Sequence, residues 1–219
     1  EAQQALRKTA VTDGTSLSRA YAVQLSSSLE QIDQITLTLK YYWQNSGGTL
    51  RLEEQLREGL YPASSLLYVT MINRHGEIIT STLFRKTKIN LAARDYFLRH
   101  QHSSSIALQI TKPSISRGSG KQIIRFTRRL NAKDGSFDGI VMVSVEPAYF
   151  ATFNGDEGLG KRGFLSVRRT DGVVLATKAG ESVDSLSTVF SLPPAFESAA
   201  GVVTMGKEKF TDLQSRLVA

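Results

Sequence analysis

The segment from Gln122 to Leu130 carries the residue pattern with the clearest chemical meaning. Alternation with a period of two places four of its residues on one face of a strand: Ile124, Phe126, Arg128 and Leu130. That face is apolar except for Arg128. An inward-facing arginine needs an anion or hydrogen-bond acceptors, because an unpaired buried charge is very unfavourable.

Two interpretations of Arg128 stay open at this point. The guanidinium forms an internal ion pair with a carboxylate such as Asp95 or Glu146, or it binds an anionic ligand, since a guanidinium holds a carboxylate through two parallel hydrogen bonds. Strand periodicity is compatible with both, so the sequence predicts a buried arginine and leaves its partner undecided.

A predicted helix from Ile89 to Gln101, upstream of this strand, carries a second group of residues. At helical spacing, Ala93, Tyr96, Phe97 and His100 share one face. Two adjacent aromatic residues beside a histidine are typical of core packing, and they are equally suited to line or cover a ligand. Both interpretations remain open.

The sequence predicts no catalytic site, no metal site and no cofactor. The three histidines, His75, His100 and His102, show no metalloprotease spacing, and the chain has neither a nucleophile elbow nor a phosphate-binding loop. It contains no cysteine, which excludes disulfides, thiolate nucleophiles and cysteine-bound metals. Nothing in the sequence assembles a nucleophile, a base and an orienting group.

Charge and hydropathy exclude two further classes. The net charge of +7 is spread along the 219 residues without a basic run, so nucleic-acid binding is not predicted. No run of about 18 apolar residues is present, so no membrane span is predicted within the sequence. Because the chain begins at Glu1 and lacks a signal peptide, we expect it to be an excised or mature fragment, with any flanking anchors outside it.

The first segment predicts a long helix from about Ala5 to Gln44. Its apolar stripe is Leu17, Tyr21, Leu25, Leu29, Ile32, Ile35, Leu39 and Tyr42. The stripe packs along the chain's own domains, or it pairs with a second copy through Leu25, Ile32 and Leu39, which would give a homodimer. These two uses do not exclude each other.

The remaining elements predict an α+β protein with antiparallel sheets. The order of strand, turn, strand, helix, strand, turn and strand occurs from about Leu66 to Val145 and again from about Gly163 to Ala219. We therefore predict three parts: a long N-terminal stalk helix (1–48), a first module (49–153) and a second module (154–219) that lacks its last strand.

Several short motifs together resemble the double Cache family of sensor domains. The string Ala93-Arg94-Asp95-Tyr96-Phe97 is similar to the family's "RDYF" helix. Further segments match in order and spacing: Thr127-Arg128-Arg129-Leu130, Asp134-Gly135-Ser136-Phe137-Asp138-Gly139, Glu146-Pro147-Ala148-Tyr149-Phe150 and Asp171-Gly172. The only tryptophan, Trp43, lies in the first helix, so the Arg-x-Trp pair typical of the family's amino-acid-binding subfamily is absent.

The resemblance implies a long helix carrying two stacked PAS-like modules, with the ligand in the membrane-distal one. It implies a periplasmic sensor between two transmembrane helices of a bacterial inner-membrane receptor whose cytoplasmic output is a diguanylate cyclase or a histidine kinase. Carried over to this chain, the ligand-binding residues would be Arg94, Tyr96, Phe97 and His100 around the pocket, Arg128 from the sheet floor, and Tyr68 and Ser144 on neighbouring strands.

The residues and the resemblance together predict an extracytoplasmic sensor that binds a small anionic molecule in its membrane-distal module (49–153). The long helix would relay the resulting conformational shift. The alternative is a structural or protein-interaction module whose core is filled and which binds no small molecule.

Overall fold

The computed structural model describes residues 2–59, 66–83, 89–117, 119–151, 164–169, 171–179, 182–184, 203–205 and 216–218. The chain forms two compact units. One consists of Leu29–Tyr149, and the other is drawn from Glu1–Ser28 and Phe150–Ala219. The residues predicted to bind a ligand all belong to the Leu29–Tyr149 unit.

The predicted N-terminal helix is confirmed as α1, Ala2–Ser46, which is 45 residues long. Ile32, Ile35 and Leu39 are buried as the stripe predicted, but Tyr42 is 48% exposed and Trp43 takes its place in the core. The Trp43 indole donates a hydrogen bond of 2.8 Å to the Asp138 carboxylate, which gives its polar N–H a partner. No helix of the described residues is both long enough and apolar enough to cross a membrane.

The predicted dimer contact through this stripe does not match the structure. Ile32 and Leu39 are fully buried within the single chain, on the side of α1 that also carries the buried Thr36. A side chain that already packs in its own core is not available to a second copy. Homodimerisation itself stays a prediction.

The Leu29–Tyr149 unit is built on one antiparallel sheet of six strands. The strands are β1 Leu67–Asn73, β2 Ile78–Ser81, β3 Gln109–Ile110, β4 Ser114–Ile115, β5 Gln122–Asn131 and β6 Phe137–Val145. The order is β2-β1-β6-β5-β3, and β4 pairs with the start of β5. Short helices accompany it: α2 Leu52–Arg57, α3 Asp95–Gln101 and α4 Ala148–Ala151, the last ending in the other unit.

Helix α3 is shorter than the periodicity predicted. The predicted helix began at Ile89, whereas the observed one begins at Asp95. Before it, Asn90 forms a β-bridge with Glu77, and the Asn90 side chain accepts a hydrogen bond of 2.8 Å from the Ala92 amide. Such a side-chain turn competes with helix formation, which delays the start of α3.

Strand β5 is buried on both faces, from Ile123 to Leu130. Directly paired residues of antiparallel strands point to the same face. One face carries Arg125, Thr127 and Arg129 of β5 with Ser144, Met142 and Ile140 of β6 and Tyr68, Thr70 and Ile72 of β1. This face contacts α3, and we call it the α3 face. The opposite face contacts α1, and we call it the α1 face.

The second unit contains the strands that the sequence predicted there. A three-stranded sheet has the order β7-β8-β9, with β7 Phe164–Arg168, β8 Val174–Ala179 and β9 Ser182–Asp184. A separate antiparallel pair consists of β10 Val203–Met205 and β11 Arg216–Val218. The predicted helix at 190–198 lies outside the described residues. The long first helix followed by antiparallel sheets confirms the predicted α+β class.

Two glycines of the hairpin turns differ in the space around them. Gly76 and Gly135 both close a turn with positive φ, +79° and +83°. Each donates its amide to a carbonyl three residues earlier, Asn73 or Ala132. A Cβ at Gly76 would lie 2.3 Å from the Ala92 backbone nitrogen, whereas a Cβ at Gly135 would meet nothing within 4 Å.

We therefore expect Gly76→Ala to destabilise the chain far more than Gly135→Ala. Both substitutions pay about 1 kcal/mol for a left-handed backbone, and Gly76→Ala adds about 2 kcal/mol because the segment before α3 must move. Chemical denaturation of both variants measures the difference. Equal losses would contradict the close packing of this turn against Ala92.

Candidate functional site

The α3 face of the sheet brings together most of the predicted site residues. Tyr68, Ser144 and Arg125 form one cross-strand row on β1, β6 and β5, because Ser144 pairs with both Tyr68 and Arg125. Helix α3 adds Tyr96, Phe97 and His100, which are all buried. Polar groups thus lie in one row across three strands beneath an aromatic helix.

Arg125 is the charged group of this row and lies at its β5 end. It is only 8% exposed, and its guanidinium carbon lies 5.7 Å from the centroid of the Tyr96 ring. The guanidinium also donates to the Ser114 hydroxyl of β4. A cation against the face of a tyrosine ring is a favourable contact, and it fixes the guanidinium plane. Sequence reasoning did not select Arg125 as a site residue.

Tyr68 connects this row to a second polar group. Its hydroxyl donates a hydrogen bond of 3.1 Å to Glu146, and the Lys121 ammonium lies 2.6 Å from the same carboxylate oxygen. Burial, and next the hydrogen bond to Glu146, raise the pKa of Tyr68. Glu146 is therefore paired with Lys121, not with Arg128 as one interpretation predicted.

Ser144, between Tyr68 and Arg125, is buried, and its hydroxyl has no hydrogen bond to any described residue. Arg94 occupies the N-cap position of α3 and is half-buried, without a side-chain hydrogen bond to the described residues.

Phe97 and His100 lie in a filled part of the core. Phe97 belongs to a buried cluster with Ile72, Leu91, Tyr96, Ile140 and Met142. Its ring meets Phe137 edge to face at 5.3 Å between centroids. His100 is 0% exposed, and its Nε2 lies 2.9 Å from the Thr127 hydroxyl. Protein atoms surround both side chains, so they hold α3 on the sheet.

Arg128 lies on the α1 face, on the other side of the sheet from Tyr96. Its Nε donates to the Thr36 hydroxyl at 3.0 Å, Nη1 donates to the Ile106 carbonyl at 2.6 Å, and Nη2 forms an ion pair with Asp33. Burial lowers the pKa of Arg128, and Asp33 opposes this effect. The expectation that Arg128 reaches the α3 side from the sheet floor is therefore wrong. Of the two interpretations, the internal ion pair matches these contacts, with Asp33 as the carboxylate.

The sequence pointed to the wrong face of β5 for a physical reason. The face that carries Ile124, Phe126 and Leu130 is predicted to be buried because it is apolar. In the structure it is buried, against α1. The face with Arg125, Thr127 and Arg129 looks like a solvent face, yet α3 and β4 cover it. No local signal marks a polar face as buried; only the continuous burial of the strand reveals it.

The Arg128 contacts predict an asymmetric effect of breaking the ion pair. Asp33→Asn leaves a buried guanidinium without a counter-charge and should cost about 3 kcal/mol. Arg128→Met leaves Asp33, whose side chain is 39% exposed and can be hydrated, and should cost about 1 kcal/mol. Urea denaturation of the two variants checks the order. A larger loss for Arg128→Met would contradict it.

His100 predicts a pH dependence of stability. Burial lowers the pKa of His100 from 6.5 to about 4, although a backbone hydrogen bond with Thr127 opposes this and nearby arginines add to it. Between these values the unfolded chain binds a proton that the folded chain does not. The free energy of unfolding should therefore fall as the pH drops through this window, by up to about 3 kcal/mol in total.

The matched control for this effect is His102, which is exposed one residue beyond α3. We expect His100→Gln to flatten the dependence of unfolding free energy on pH between about 6.5 and 4, whereas His102→Gln should leave it as in the unmodified chain. Equal slopes for both variants would show that His100 is not the titrating group.

No family model matches this sequence, and no curated protein matches it. Solved structures do match. The extracellular domain of rpHK1S-Z16, which is named as a histidine kinase, superposes with a TM-score of 0.67 at 22% identity, covering 79% of this chain and 74% of that one.

Two chemoreceptor domains match over a larger share of this chain. The ligand-binding domain of the Pseudomonas aeruginosa PAO1 amino acid chemoreceptor PctB, in complex with L-Arg, gives a TM-score of 0.62 at 13% identity and covers 98% of this chain and 87% of that one. The ligand-binding domain of the Campylobacter jejuni chemoreceptor Tlp3, in complex with 4-methylisoleucine, gives 0.59 at 10% identity, with coverage of 96% and 85%. The chain therefore has the same fold as these extracellular and ligand-binding domains.

Proposed function

We propose that this chain is the extracytoplasmic ligand-sensing domain of a transmembrane signalling receptor. The ligand site lies on the α3 face of the Leu29–Tyr149 unit, around Arg125, Tyr96, Ser144 and Tyr68. Fold alone does not assign a function, so the proposal depends on the chemistry of this row. The observation that carries it is the buried Arg125 guanidinium held against the Tyr96 ring.

The chemistry of the row favours a small molecule that carries a carboxylate. A guanidinium binds a carboxylate well, because two of its N–H groups can donate parallel hydrogen bonds to the two carboxylate oxygens. The Ser144 hydroxyl lies next to Arg125 on β6 and the Tyr68 hydroxyl follows on β1, so both can contact the rest of the molecule. L-Arg and 4-methylisoleucine, the compounds in the PctB and Tlp3 complexes, both carry an α-carboxylate.

The other predicted residues take supporting roles in this proposal. Arg94, at the start of α3, is close enough in sequence to Tyr96 to contact a ligand at the rim of the site. Phe97 and His100 keep α3 on the sheet through the filled core beneath it. They would influence ligand binding by positioning Tyr96.

Within the receptor, α1 would carry the signal. This helix contributes residues to both compact units, so a displacement that begins at the sheet of one unit can reach the other along it. A ligand shifts such an equilibrium only by binding one arrangement more tightly than the other. The cytoplasmic output would be a diguanylate cyclase or a histidine kinase, and catalysis would reside there.

A module without a ligand is the second candidate. The filled cluster around Phe97 favours it, because that half of the α3 face is closed by protein atoms. Binding measurements separate the two candidates directly.

The proposal predicts that carboxylates raise the melting temperature of the chain. L-arginine, L-valine and succinate, each compared with its amide, form a suitable series for thermal shift and calorimetry. We expect a carboxylate to bind where its amide does not. Arg125→Met should weaken that binding at least about tenfold, as expected for the loss of a charge-assisted hydrogen-bond pair.

Arg99→Met is the matched control, because Arg99 is an exposed arginine on α3 itself. It removes the same charge and should leave the affinity unchanged. If Arg125→Met binds a carboxylate as tightly as the unsubstituted chain, the ligand site lies elsewhere. If neither a carboxylate nor an amide binds, the module without a ligand is favoured.

A further inference from the structure

Strand β5 lies between α3 and α1, so adjacent residues of this one strand contact different helices. On one face, Thr127 contacts His100 of α3. On the other face, the next residue, Arg128, contacts Asp33 and Thr36 of α1. A shift of β5 relative to either helix therefore changes the contacts of adjacent residues.

Arg128 also contacts the segment that follows α3. Its Nη1 donates at 2.6 Å to the carbonyl of Ile106, which lies between the end of α3 at Gln101 and the start of β3 at Gln109. One guanidinium thus joins three elements: β5, α1 and the connection after α3. We call the contacts of Arg128 with Asp33, Thr36 and Ile106 the Arg128 clamp.

The clamp has little freedom to adjust. A guanidinium is planar and presents its donors in a fixed fork, so it cannot follow the Ile106 carbonyl without turning away from Thr36 or Asp33. Arg128 is also 5% exposed, so water cannot readily replace a lost acceptor. Movement of the connection after α3 must then move α1 or break the hydrogen bond between Arg128 and Ile106.

We propose that the Arg128 clamp couples displacements of α3 to the part of α1 between Asp33 and Lys40. Arg128 is a positioning residue in this scheme and does not touch the ligand. The inference deepens the proposed function, because it names the contact through which an event beneath α3 reaches the long helix.

The test needs no ligand, so it stays informative if the ligand proposal fails. Tyr96→Ala perturbs α3, and amide hydrogen exchange reports on residues 33–40 of α1. Each rate is divided by that of the buried β6 amides, which cancels a change in global stability. In the unmodified chain, we expect Tyr96→Ala to accelerate exchange in this part of α1 about fivefold, the lower end of a typical coupling between sites.

The effect of Tyr96→Ala on α1 exchange is then measured in three chains that each carry one further substitution. Arg128→Met removes the whole clamp. Thr36→Val removes the acceptor of Nε, together with the hydroxyl's own hydrogen bond to the Asp33 carbonyl, and keeps the guanidinium in place. Thr38→Val is the matched control, because Thr38 is exposed on the same helix. We expect the acceleration to stay about fivefold with Thr38→Val and to fall below about twofold with Arg128→Met and with Thr36→Val.

Two results would overturn the inference. One is an equal acceleration by Tyr96→Ala in the Thr36→Val and Thr38→Val backgrounds, since the two helices would then be coupled through other contacts. The other is that Tyr96→Ala, as the only substitution in the chain, leaves the exchange rates of α1 unchanged.

Discussion

The burial of arginines on strand β5 constrains the rest of the Leu29–Tyr149 unit. Arg125, Arg128 and Arg129 lie on a strand with two covered faces, so each guanidinium must find acceptors within the protein. Arg128 finds them on α1, and Arg129 finds the His100 carbonyl and the Asn131 side chain. Such buried pairs add little net stability compared with apolar residues. An arrangement that left one of these guanidinium groups without its partner would be strongly destabilised, so the pairs specify which helix covers which face.

This arrangement gives α3 two different attachments to the sheet. Toward its C-terminal end, His100 is fixed by Thr127, and Phe97 packs among apolar side chains. Toward its N-terminal end, Tyr96 meets a guanidinium. An aromatic–cation contact is weaker than a filled apolar core and changes readily when an anion approaches the cation. The first turn of α3 is therefore the part of the helix whose position a carboxylate could most easily alter.

The structural neighbours share this architecture with identities of only 10–22%. A sheet with a long helix on one face and a short helix on the other can be specified by many sequences, because burial pattern and turn positions suffice. The fold alone does not fix the residues in the row beneath the short helix.

The sequence by itself determined the elements. The long helix α1, the strands β5 and β6 and the turns at Gly76 and Gly135 follow from local patterns, and the structure contains them. Tertiary structure alone decided the two-residue strand β3, the late start of α3 and the face on which each arginine acts. The physical reason is that alternation assigns Arg125 and Arg128 to opposite faces but says nothing about what covers each face. That depends on hydrogen bonds to residues more than ninety positions away, as between Arg128 and Thr36, which no local pattern contains.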